Sequence, residues 1–158
     1  MPILFSRGND IYKISVDGTI EQRLTSSPEP ETAARWSPNG QKIVFQKTVV
    51  GIPQIRVMNQ DGTNQILISE PTISSTQAWW SPNGQKILFV KTETNGTDQI
   101  WVMNADGGNK TRLTSNGFND HIPQWSPDGG KIAFGRCNSA AMEICRFRRI
   151  STATAKRI

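Results

Sequence analysis

Trp-Ser-Pro-Asn-Gly stands at residues 36–40 and again at 80–84, and Trp-Ser-Pro-Asp-Gly at 125–129, with the tryptophans 44 and then 45 residues apart. Each motif opens a longer shared unit. A Lys-Ile-x-Phe segment follows (Lys42–Phe45, Lys86–Phe89, Lys131–Phe134), and then Gln54-Ile55-Arg56-Val57-Met58-Asn59 or Gln99-Ile100-Trp101-Val102-Met103-Asn104. Asp61-Gly62 and Asp106-Gly107 come next, and the units close on Leu67-Ile68-Ser69 and Arg112-Leu113-Thr114. A period in the 40s fits paired-helix solenoids and propeller blades alike, because in both a unit needs neighbours to cover its apolar faces.

The local pattern separates the two. The Lys-Ile-x-Phe and Ile-x-Val-Met runs are short, rich in β-branched and aromatic residues, and bounded by turn clusters. Proline, glycine and Asn-Gly recur too often for useful helices. Four strands fit each period. Strand A approaches the tryptophan, strand B is Lys-Ile-x-Phe, strand C is Ile-x-Val-Met, and strand D ends at Leu24, Ile68, Leu113 and Ile158. Pro and Gly suit the A–B turn, where one position wants a preset φ and a later one a positive φ. Strands B and C are apolar on both faces, as in a sheet sandwiched between sheets, and such units arranged about an axis are propeller blades. Repeats run over about 2–25, 31–69, 75–114 and 120–158, within a single propeller (half-)domain spanning 1–158. About 15 strands are expected, with the first blade lacking its inner strand.

Trp-Ser-Pro-Asp-Gly-x-Lys-Ile-Ala-Phe, Ile-x-Val-Met-Asn-x-Asp-Gly-Gly and Arg-Leu-Thr together resemble the TolB-type β-propeller repeat, over nearly the whole chain. The resemblance implies an all-β propeller. It also implies either the partner-binding domain of a periplasmic TolB-like protein or the non-catalytic propeller of a prolyl-oligopeptidase-like peptidase. Such propellers usually have six or more blades, so four is a departure. Two copies would make an eight-bladed ring, and a homodimer is the expectation. Strong fold signals of this kind leave function open.

Composition narrows the function classes. No apolar run reaches the ~18–20 residues that span a bilayer, so no membrane insertion is expected. Met1-Pro2 leads into a strand without a signal-peptide pattern, although the resemblance implies a periplasmic or extracytoplasmic setting. From Lys131 to Ile158 there are seven basic residues and one acid, a net +6 against +5 for the whole chain. With no aromatic stacking platform beside those arginines, a charge-protected edge is the better reading than nucleic-acid binding. Cys137 and Cys145, placed by alignment at the Thr92 and Trp101 positions, are opposite or diagonal depending on hairpin register. A diagonal pair exceeds disulfide reach, and two buried thiols are the expectation.

Chemistry is sparse. His121, the one histidine, follows Asp120, but no Gly-x-Ser-x-Gly elbow completes a triad. Nor is there an Asp-x-Asp-x-Asp calcium loop or a zinc-ligand spacing. No cofactor, metal or enzymatic activity is expected. Trp36, Trp80 and Trp125, with Phe45, Phe89, Phe134, Ile55, Ile100 and Ile144, read as core between blades. Trp79 differs, occupying a position that is Arg35 or Gln124 in its sister repeats. Alternating strand direction puts the regular Ser-Pro-Asn/Asp-Gly and Asp-Gly turns on one face and the variable loops on the other, where function on a repeat scaffold gathers. The candidate binding residues are therefore Glu31, Trp79, Asp120 and His121 near the channel, with Arg136 outside it. The expected occupant is a protein or peptide partner. A purely structural or engineered propeller fragment that self-assembles is the remaining alternative.

Overall fold

The computed structural model describes residues 1–137 and 145–152. β-branched and aromatic runs broken by Pro and Gly clusters give strands and no α-helix among these residues. The first sheet holds β1 (Ile3–Arg7), β2 (Asp10–Ile14) and β3 (Glu21–Arg23). The second holds β4 (Glu31–Trp36), β5 (Lys42–Val49), β6 (Ile52–Asn59) and β7 (Ile66–Leu67). The third holds β8 (Ser75–Trp80), β9 (Lys86–Thr92), β10 (Asp98–Asn104) and β11 (Thr111–Arg112), and the fourth β12 (Asn119–Trp125), β13 (Lys131–Cys137) and β14 (Cys145–Ser151). Each is an antiparallel meander in chain order. Fourteen strands are described rather than about 15. The strand expected to end at Ile158 lies outside the described residues.

The Ser-Pro turn is built the same way each time. Ser37 Oγ donates to Asn39 Oδ1 (2.8 Å) and accepts from Lys42 N (2.9 Å), and Ser81 and Ser126 repeat this with Asn83 and Lys86, and with Asp128 and Lys131. The Ser126 hydroxyl and the Gly130 N–H together hold the Asp128 carboxyl below the usual carboxylate range. In the Asp-Gly turn the glycine is dictated by a neighbouring sheet. Gly62 has φ 90°, and a Cβ there would lie 2.1 Å from the Leu24 carbonyl oxygen.

Sheets stack in order. Ile11 and Leu24 of the first meet Ile43, Phe45 and Met58 of the second. Val44, Ile55, Val57 and Ile68 of the second meet Ile87, Phe89 and Met103 of the third. Leu88, Val90 and Ile100 of the third then meet Ile132 and Phe134 of the fourth. β4, β8 and β12 lie side by side as the inner edges, and among the described residues no comparable packing joins the fourth sheet to the first. Each inner strand also carries a bulge at the same place, with Ala33, Gln77 and Ile122 at φ 54°, 55° and 53° and a register shift beside each. A bulge bends and twists its strand, which suits the crowded inner edge of radially packed sheets.

Three expectations need correction. The phenylalanines and Ile55 and Ile100 are fully buried, but Trp36, Trp80 and Trp125 are only half-buried. They sit at the strand end beside the turn, where one ring edge faces solvent. Two of the indoles bridge sheets instead: Trp36 Nε1 donates to Pro2 O (2.7 Å) and Trp80 Nε1 to Arg35 O (3.3 Å). The second correction is the register of the last hairpin. Cys137 pairs with Cys145, and Gly135 with Phe147, as Val90 pairs with Ile100. Cys145 therefore holds the Asp98 position rather than that of Trp101, and Phe147 holds the core position expected for Ile144, which lies outside the described residues. The third is the thiol expectation, since Cys137 is disulfide-bonded and directly opposite the only other cysteine in the chain.

Candidate binding face at the variable loops

Every strand B carries a cation at or near its end: Ile-Leu-Phe-Ser-Arg7, Ile-Val-Phe-Gln-Lys47, Ile-Leu-Phe-Val-Lys91 and Ile-Ala-Phe-Gly-Arg136. The hairpins place all four at the variable-loop end of their sheets, and each finds an acid. Arg7 pairs with Glu21 and stacks 4.3 Å over the Tyr12 ring. Lys47 Nζ lies 3.2 Å from Glu31 Oε1 and 3.3 Å from Glu29 Oε2, and donates to Ser27 Oγ at 2.8 Å. Lys91 lies 3.4 Å from Glu70 and 4.3 Å over the Trp101 ring. Arg136 grips Asp120 with two nitrogens, Nε to Oδ1 at 2.8 Å and Nη2 to Oδ2 at 3.0 Å, while Asn116 Nδ2 donates to Oδ2 at 2.9 Å. That double bond to a buried carboxylate raises the guanidinium pKa.

The loops behind these cations are tied down from within. In the first three sheets the residue before the buried isoleucine of strand C (Ile11, Ile55, Ile100) is polar and buried, and it reaches the D–A loop that follows. Asp10 Oδ1 accepts from Ser27 N (2.9 Å), Gln54 Nε2 donates to Pro71 O (2.9 Å), and Gln99 Nε2 donates to Phe118 O (2.8 Å). A hydroxyl closing strand D does the same for strand C. Thr25, Ser69 and Thr114 each accept from the backbone of Ile11, Ile55 and Ile100 at 2.9–3.0 Å. Buried side chains that satisfy loop backbone groups in this way fix three D–A loops of the variable face.

The five candidate residues divide. Glu31 and Asp120 are both fully buried, so they act on the surface only through Lys47 and Arg136. His121 is half-buried, its Nδ1 3.5 Å from Asp98 Oδ2, and Arg136 keeps about a quarter of its side chain exposed at 26%. Asp120, His121 and Arg136 come together at the loop end of the fourth sheet. Trp79 does not join them. It is paired with Leu88 near the Ser-Pro turn, at the other end of its strand, where the Arg35 guanidinium stacks 3.5 Å over its ring. Burial lowers the pKa of Arg35, which has no partner for its buried Nε.

Sequence reasoning passed over Arg7, Lys47 and Lys91 as site residues, although the fifth place of every Ile-x-Phe run announces them. The role of Gln54 and Gln99 was likewise open to view, as a glutamine repeated before Ile-x-Val-Met. Among the described residues no group of three or more His, Cys, Asp or Glu side chains is placed to hold a metal ion, and no helix is long and apolar enough to cross a membrane.

Comparison with known proteins places this geometry. A curated relative, the Protein TolB homolog of Chlorobium luteolum, is 36% identical over 61 residues, covering 39% of this chain and 14% of that protein. The putative TolB from Agrobacterium tumefaciens superposes with a TM-score of 0.78 at 22% identity, over 90% of this chain and 53% of that one. TolB from Acinetobacter baumannii gives 0.75 at 23%, over 92% and 36%. Puromycin hydrolase gives 0.75 at 14%, over 92% and 25%. This chain spans about half the length of these relatives, or less, and at such identities the solved structures speak for the fold. The family model described as the TolB beta propeller domain matches residues 4–136. Together with four antiparallel sheets stacked in series, that match means the chain belongs to the TolB β-propeller domain family.

Proposed function

We propose that this chain is a non-catalytic binding module that engages a protein or peptide partner on its variable-loop face. The observation that carries the reading is the rim of four cations, one per sheet, each held by an acid, among three D–A loops fixed from below. A fixed polar rim suits recognition, because little ordering entropy remains to be lost on binding. His121 and Arg136 offer accessible polar surface there, with Glu31 and Asp120 as positioning residues for the cations beside them. The one histidine faces Asp98, an arrangement that orients an imidazole without supplying a nucleophile. Peptides selected from a random library against the immobilised protein test the reading through their hydrogen-exchange footprints. Protection is expected in the loops around residues 47–54, 91–99 and 115–121. Footprints confined to the Ser-Pro turns at 37–40, 81–84 and 126–129 would sink it.

Two copies close one ring in this reading. The three internal interfaces each seat an Ile and Phe pair (Ile43 and Phe45, Ile87 and Phe89, Ile132 and Phe134) against the preceding sheet. Ile3 and Phe5 hold the same positions in the first sheet, yet Ile3 is 56% exposed. At the other end Phe147, in the place of the fully buried Ile55 and Ile100, is 83% exposed. One terminal face thus carries the incoming half of an interface and the other the receiving half. A two-fold axis satisfies both at once, and it covers apolar patches that monomers rarely leave open. Sedimentation equilibrium should give twice 17.6 kDa, falling to the single-chain mass for Phe147→Asp. A single-chain mass for the unaltered protein at micromolar concentration, with cooperative unfolding, would refute the closure.

A further inference from the structure

Lys13 of β2 and Val57 of β6 hold the same place in successive sheets, the first paired with Leu4 and the second with Val44. Their surroundings differ accordingly. At the seam between the first and second sheets, Lys13 reaches across and its ammonium donates to Gln60 O at 3.1 Å. It also acts on the neighbouring acid. The Asp61 carboxyl lies below the usual carboxylate range, held there chiefly by the Thr63 hydroxyl and N–H, with the Lys13 charge adding to the effect. A lysine stem thus spans the first seam and sets its charged head among the acceptors of an Asp-Gly turn.

The next seam offers the same acceptors without the lysine. Ala105 and Asp106 take the places of Gln60 and Asp61, and the two turns are built alike. Gln60 N donates to Gln41 O at 3.1 Å and Ala105 N to Gln85 O at 3.0 Å, while Gly62 N and Gly107 N close back on Asn59 O and Asn104 O. Val57 cannot extend to them. A cleft of about 440 Å³ opens there, with buried Val57 and Ile68 beside half-buried Trp80, and Ala105 and Asp106 at its border. Its wall is apolar in strand D as well, because Ile66, 49% exposed, replaces Gln22 of the first sheet. Asp106 Oδ1 accepts Gly108 N at 2.8 Å, and no cation among the described residues pairs with this carboxylate. Lys42 also borders the cleft, but its ammonium is engaged by Asn59 Oδ1 at 2.6 Å.

We propose that this cleft is a docking site for a lysine side chain of a partner protein, which fills at the second seam the place that Lys13 fills at the first. The methylene stem lies along Val57, Ile66 and Trp80, and the ammonium meets Ala105 O and the Asp106 carboxylate. An apolar wall ending in an uncompensated acid suits a side chain with an apolar stem and a cationic head. Asn39 and Asn83 stand exposed at the rim, where their amides can meet the main chain of a polypeptide. The cleft lies on the face of the regular turns, opposite the loop rim. It therefore goes beyond the variable-face reading and does not rest on it.

An acetylated and amidated Gly-Gly-Lys-Gly-Gly peptide is the probe, titrated into the isotope-labelled intact protein and followed by NMR. Saturable shifts are expected at the Trp80 indole N–H and at the amides of Ala105, Asp106 and Gly107. Acetylating the ε-amine of the peptide, or replacing its lysine by norleucine, should weaken binding about tenfold. Asp106→Asn should weaken it about fivefold, the upper end for an accessible ion pair. Asp61→Asn should leave it unchanged, because that acid belongs to the seam Lys13 already fills. Val57→Lys should close the cleft from within and abolish binding. Should Val57→Lys fail to fold, Asp106→Asn alters an exposed side chain and still decides. Absence of saturable shifts overturns the proposal, as does affinity indifferent to the ε-ammonium or to Asp106. Free cadaverine binding as tightly as the peptide would also overturn it, since the cleft would then be a site for a small amine rather than for a partner's lysine.

Discussion

Replacing Phe89 by alanine is expected to cost the folded protein about 3–5 kcal/mol, the range for a large aromatic ring removed from a packed core. Phe89 is fully buried among Val44, Ile55, Val57, Ile68 and Ile87, and these come from two different sheets. The cavity would open at the seam between blades, where rigid strands on both sides limit collapse. Trp80 packs against the same cluster but is half-buried, so Trp80→Ala removes less covered surface and should cost less than Phe89→Ala. Urea titration of the two variants checks both the size and the order. A Phe89→Ala midpoint matching the unaltered protein would remove Phe89 from the core, and a larger loss for Trp80→Ala would reverse the hierarchy between ring and indole.

The second large effect concerns one ion pair and is asymmetric. Asp120 is fully buried, whereas Arg136 retains 26% of its side-chain exposure. Arg136→Met strands a carboxylate among strands with only Asn116 to donate to it, and breaking a buried pair in this way costs about 3–5 kcal/mol. Asp120→Asn leaves an uncharged amide in the same space, while Arg136 turns toward water, for a loss of about 1 kcal/mol. Thermal and urea unfolding of the two variants should therefore differ widely. Equal losses would mean that the pair is screened like a surface salt bridge.

Much of the fold could be read without coordinates, and the reason is repetition. A motif recurring at fixed spacing reports the environment of one position several times over. Ile-x-Phe in four copies, three of them after a Pro-Asn/Asp-Gly turn and three with an Asp-Gly turn downstream, leaves a strand with two apolar faces as the reading consistent with all of them. Where repetition failed, so did the reading. The last hairpin lacks an Ile-x-Val-Met segment, and alignment placed Cys145 three residues away from its position in the register. The cross-strand pairing of Cys137 with Cys145 is a property of the hairpin, invisible to a comparison of spacings.

The candidate site was legible in part. That Asp120, His121 and Arg136 belong to one face follows from strand direction, and strand direction follows from counting turns. Residue type alone suggested Trp79 as their companion, but a strand is long enough to hold its two ends on opposite faces of a blade. Polarity also misled for Glu31 and Asp120. A charged residue reads as exposed in a sequence, and only contact with Lys47 and Arg136 shows how two carboxylates are kept fully inside.

The sequence by itself determined strand, turn and order, because these depend on local stereochemistry: where proline and glycine interrupt, where side chains alternate, and which runs are apolar on both faces. Tertiary structure alone decided three things that depend on neighbours. It placed Ala33, Gln77 and Ile122 at positive φ, a conformation none of these side chains favours, at the bulges where the inner strands crowd together. It buried the acids beneath their cations. And it left Ile3 and Phe147 in the open, since an apolar residue is covered only when another sheet stands opposite it.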